Sequence, residues 1–137
     1  MSGVTWFGRL ALFVVYFWFG LLKVVTVSPA NPLVEALLTK TLPFVSFDQF
    51  IVGFGILEMV IGVLFLFPRL TKLAVTMLLL HMATTVLPLF LLPEVAWQRW
   101  FVPTLEGQYM IKNLVIIALA LFLLQESRWN SKERIFS

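Results

Sequence analysis

Glu58 is the one charged residue in the stretch FIVGFGILEMVIGVLFLF, Phe50 to Phe67. A carboxylate in hydrocarbon is costly, so it is kept where it faces protein, a cavity or a basic partner. An acid buried beside a base is also a group that can hold a proton and hand it on. The partners the sequence offers are Lys23 and Lys112, each inside another apolar stretch, and His81, the single histidine. Helical spacing gives each charge company: Tyr16, Gly20 and Lys23 share a face, as do Gly55, Glu58 and Gly62, and as do Gln108, Tyr109 and Lys112. Glycine on such a face lets a neighbouring helix come close. The expectation is a polar pocket at the outer end of a bundle, with Glu58 bracketed by Lys23 and Lys112 and His81 near mid-depth.

Plainer roles exist for each residue. Lysines near helix ends can snorkel to the headgroups. A buried acid can be protonated, or can serve in an ion pair that fixes helix register. A core histidine can be satisfied by a carbonyl or by Thr84 or Thr85. Snorkelling accounts for the lysines taken singly but not for Glu58.

The elements that must position these residues follow from composition. Of 137 residues, 61% are hydrophobic and 12% charged, and the mean hydropathy is +0.98. This describes an integral membrane protein rather than a soluble domain. The absence of cysteine excludes disulfides, thiol chemistry and cysteine-ligated clusters or zinc within the chain. One histidine cannot supply both ligands of a bis-histidine haem, although a His and Met pair remains arithmetically open. No metal site is expected. A redox role would need a bound organic cofactor or another subunit, and no basic run points to nucleic acid.

The hydropathy pattern predicts an all-α single domain: a four-helix membrane bundle with interfacial helices in its two outer connections. The spans are expected at about Thr5 to Val27, Phe50 to Phe67, Leu73 to Leu92 and Gly107 to Leu124. The first lacks a cleavage pattern and reads as a retained span. Asn31 followed by Pro32 reads as the start of an amphipathic interfacial helix, and Asp48 as the cap of the second span. Pro68 should stop the second span and Pro88 should kink the third. Trp97 and Trp100 beside Arg99 read as an interfacial anchor. The tail QESRWNSKERIFS is polar. Arg9, Arg69, Lys72, Arg128, Lys132 and Arg134 fall on one side, against Lys40, Arg99, Glu35, Asp48 and Glu94 on the other. The positive-inside rule then makes both termini cytoplasmic and puts the longer connections outside.

With these elements in place, three stretches resemble a known family. YFWFGLLKV followed by SPANPLV, GFGILEMVIGVLF, and PTLEGQYMIKNLVIIALALFLL are similar to the DoxX-like small bacterial inner-membrane proteins. The resemblance covers roughly Phe7 to Leu124, and its motif residues are Gly20, Lys23, Glu58, Gly62, Glu106, Gly107, Tyr109, Lys112 and Asn113. It implies a four-helix inner-membrane protein with a redox-linked role, as an accessory or quinone-interacting subunit. Partners would be lipid and other membrane or redox subunits, or further copies of the chain. The candidate pocket residues are thus Lys23, Glu58, Tyr109, Lys112, Glu106, His81 and Tyr16. The residues leave two other readings open: a small-solute or ion-coupled transport protein, and a purely structural subunit of a membrane complex.

Overall fold

The computed structural model describes residues 2–25 and 28–136, the last four of them by backbone alone. The first helix, α1, runs Gly3–Val24 and starts earlier than expected because the Ser2 hydroxyl caps it, accepting from the Thr5 amide at 3.1 Å. The expected extension to Val27 lies partly outside the described residues. Helix α2, Asn31–Thr41, forms where Pro32 sits in its first turn, but Ala30 and not Asn31 occupies the cap position. Helix α3, Phe47–Leu64, has Ser46 at its cap position, so Asp48 is not the cap. Asp48 lies instead in the first turn, where a negative charge favours the positive end of the helix dipole.

A 3₁₀ turn at Pro68–Leu70 leads into α4, Thr71–Thr85. The third span then breaks at Val86 and resumes as α5, Leu87–Leu91, so the distortion begins two residues before Pro88. Pro88 has no amide to give the carbonyl four residues back, that of Thr84, so the helical ladder is interrupted just ahead of it. Thr84 and Thr85 bond back onto the last turn of α4, donating to the carbonyls of His81 at 2.6 Å and Met82 at 2.8 Å.

The second long connection differs from its expectation. It holds the short helix α6, Pro93–Ala96, and an antiparallel hairpin of β1, Trp97–Arg99, and β2, Val102–Pro103. Phe101 at its tip adopts φ 60, and Trp100 beside it is 85% exposed. Trp97 is turned inward, its indole donating to the Leu89 carbonyl at 3.0 Å. The last helix, α7, runs Leu105–Phe136 and does not stop at Leu124. The tail continues it, since no glycine or proline follows Gly107.

Four segments are long and apolar enough to cross a membrane: Gly3–Val24, Phe47–Leu64, Pro68–Leu91 and Leu105–Lys132. The chain is a multi-pass membrane protein of the all-α class. The spans form a ring in which α1 packs on α3, α3 on α4, α4 on α7 and α7 back on α1. Its core contains Leu12, Tyr16, Ile61, Phe65, Leu78, Met82 and Leu123. Large apolar residues such as Leu80, Phe90 and Val115 stay on the outside, which suits a lipid solvent. Thr5 on α1 donates to Glu126 on α7, so the amino-terminal end of α1 and the distal part of α7 share one end of the bundle.

Candidate functional site

The closest helix pair builds the site. A Cβ on Gly20 would come within 2.5 Å of the Gly55 carbonyl oxygen, and one on Gly55 within 2.5 Å of the Gly20 oxygen. No side chain fits between α1 and α3 there. One turn further along each helix stand Lys23 and Glu58, and the close approach brings them together: Lys23 Nζ donates to Glu58 Oε2 at 2.9 Å. The other carboxylate oxygen, Oε1, lies 2.9 Å from His81 Nε2 on α4. The opposite ring nitrogen, Nδ1, is 3.1 Å from the Tyr16 hydroxyl on α1. The result is one chain of hydrogen bonds, Lys23 to Glu58 to His81 to Tyr16.

All four groups are buried, with Lys23 6% and Glu58 4% exposed. Phe54 covers them, its ring 5.0 Å from that of His81 and 6.0 Å from Lys23 Nζ. One proton assignment gives each of the three bonds a donor and an acceptor: an ammonium, a carboxylate, a neutral imidazole donating through Nε2, and a tyrosine O–H donating to Nδ1. This state has no net charge, which suits a dry interior.

Of the residues singled out from sequence, the structure brings together Lys23, Glu58, His81 and Tyr16. It does not bring Lys112, Tyr109 or Glu106 to them. Tyr109 is 61% exposed, Lys112 and Glu106 are exposed, and Lys112 Nζ sits over the Tyr109 ring at 5.5 Å. The expected bracketing of Glu58 by Lys112 is thus corrected: His81 takes that place. The cause is the rotation of α7. Met110 and Ala120 are buried and Asn113 donates to Thr85 of α4 at 3.3 Å, so Lys112, one residue or about 100° away, turns outward. Thr84 and Thr85 do not serve the His81 ring, as they bond to backbone.

A second polar cluster was missed. Arg9, counted from the sequence only among the charges of the basic side, is 0% exposed. Its guanidinium donates to the Phe65 carbonyl at 3.0 Å and to Thr71 Oγ1 at 2.8 Å, and Thr71 passes the bond to the Pro68 carbonyl at 2.7 Å. Arg9 thereby satisfies the Phe65 carbonyl at the end of α3 and ties α1 to the turn that follows it. The available signal was Pro68, which marks where α3 stops and its last carbonyls lose their helical amides. With the geometry set out, the chain matches no family model, no curated protein and no solved structure.

Proposed function

We propose that this protein is a membrane subunit of an oxidoreductase assembly, of the DoxX-like kind its polar motifs resemble, in which the Glu58 network exchanges the proton that accompanies quinone reduction or oxidation. The observation that carries the reading is the continuous hydrogen-bonded chain of four ionisable side chains, drawn from three helices and buried in the bundle. Reducing a quinone to a quinol adds two electrons and two protons. The electrons come from a partner subunit, and Glu58 and His81 are the groups able to give up or take a proton within the membrane. The same reading puts the chain in a bacterial inner membrane with both termini cytoplasmic, supported by the basic residues gathered at the end where α1 begins.

The test is Glu58→Gln, which keeps the shape of the side chain and removes its charge. Quinone retained by the purified protein, or quinone-linked turnover of the membranes, is expected to fall at least about tenfold, the scale of a lost charge-assisted hydrogen bond. Unchanged quinone retention and turnover in a variant of normal thermal stability would overturn the reading. A loss confined to thermal stability or assembly would assign the network a structural role.

A further inference from the structure

The continuation of α7 past its apolar part creates a feature that the proton network does not use. Leu124, Arg128 and Ser131 recur at helical spacing, with Ser127 and Lys132 beside them, and this face meets the turn that carries Arg69 and Lys72. Between the two segments lies a cavity of about 380 Å³, lined by Arg69, Lys72, Arg128 and Lys132 together with Ser127 and Ser131. Among the described residues no carboxylate lines it. Glu126, one residue before Ser127, accepts a bond from Thr5. Four cations from segments more than fifty positions apart therefore converge on one recess, and like charges gathered in this way favour the entry of an anion.

We propose that this recess binds the phosphate of an anionic phospholipid. Phosphate fits because two guanidinium forks and two ammonium groups can engage its oxygens. A basic pocket between helices at one end of a membrane bundle is suited to an anionic headgroup. A lipid is favoured over a free phosphate by the adjoining surface. Arg128 and Lys132 also line a neighbouring recess of about 480 Å³ whose walls include Phe122 and Trp129, with Glu126 among its polar lining, and Phe122 is 55% exposed. A headgroup can thus sit on the cations while the glycerol and upper acyl carbons lie along these aromatics. The helical order of 125–132 matters, since it holds Arg128 and Lys132 in place before the ligand arrives.

The experiment uses the full chain purified in dodecyl maltoside, with phosphatidylglycerol or phosphatidylcholine of identical acyl chains added, or inorganic phosphate alone. Bound lipid is counted by native mass spectrometry. Phosphatidylglycerol is expected to bind at least tenfold more tightly than phosphatidylcholine. Arg128→Gln combined with Lys72→Gln should abolish that preference, and Lys132→Gln alone should weaken it. Arg99→Gln, which neutralises an exposed cation on the hairpin, should leave it intact. These positions are exposed, so thermal stability without added lipid is expected to be unchanged. Equal binding of the two lipids, or a preference that survives the double substitution, would overturn the proposal. Displacement of phosphatidylglycerol by an equal concentration of inorganic phosphate would overturn the assignment to a lipid.

Discussion

His81 is the residue whose surroundings give Glu58 its second partner. Its ring lies between a carboxylate on one nitrogen and a phenol on the other, so the tautomer is fixed by its neighbours rather than by chance. Tyr16→Phe removes the donor to Nδ1. The expected result is a loss of about 1 kcal/mol of stability and a shift of the Nδ1 resonance in a ¹⁵N spectrum of the detergent-solubilised protein. An unmoved resonance would show that Tyr16 does not hold the ring. The two lysines separate more sharply. Lys23→Met strands one oxygen of a buried carboxylate and should cost about 3 kcal/mol, whereas Lys112→Gln, on the exposed face of α7, should change the melting temperature little. Lys23, Glu58, His81 and Tyr16 were all legible as candidates because charge and hydroxyl stand out in apolar helices. Which of them touch was not legible, since a lysine one residue off the buried stripe looks the same in sequence as one on it.

At the scale of elements, the pairing of α1 with α3 decides the site. Gly20 and Gly55 touch backbone to backbone, and Gly62 lies 3.0 Å, measured from an added Cβ, from the Phe17 amide nitrogen. Gly55→Ala must push the helices apart, at a cost of about 1–3 kcal/mol, and should weaken the bond between Lys23 and Glu58 with them. Gly53→Ala provides the contrast, because nothing lies within 4 Å of its added Cβ. It should be neutral or should stabilise, as alanine favours helix over glycine. Thermal unfolding followed by helical circular dichroism in one detergent compares the pair, and equal effects would show that close packing at Gly55 is not what sets the helix spacing. The break of the third span was legible from Pro88, but its onset at Val86 was not, because it depends on how the last turn of α4 closes, where both threonines bond back to its carbonyls. The helical tail was misjudged on polarity alone. Polar residues can continue a helix, and the absence of any stop signal was the better guide.

Across the whole molecule, two polar anchors lie toward opposite ends of a greasy bundle. Arg9 ties α1 to the turn between α3 and α4 near one end, and the Glu58 network ties α1, α3 and α4 nearer the other. Arg9→Ala leaves the Phe65 carbonyl and Thr71 without their donor and should destabilise the bundle by about 2–4 kcal/mol, read as a lower melting temperature in detergent. A variant that melts like the parent would show that water reaches those acceptors. The sequence by itself determined the class, the number of spans and the short list of polar residues, since a run of apolar residues must be a helix in lipid and a charge within it must find company. Only the tertiary structure decided that His81 and not Lys112 completes the site, that Arg9 is buried, and that the tail of α7 turns its cations toward Arg69 and Lys72. Those outcomes depend on how each helix is rotated about its axis. Helices apolar on every side carry little information about rotation in their composition, and close glycine contacts and individual hydrogen bonds set it instead.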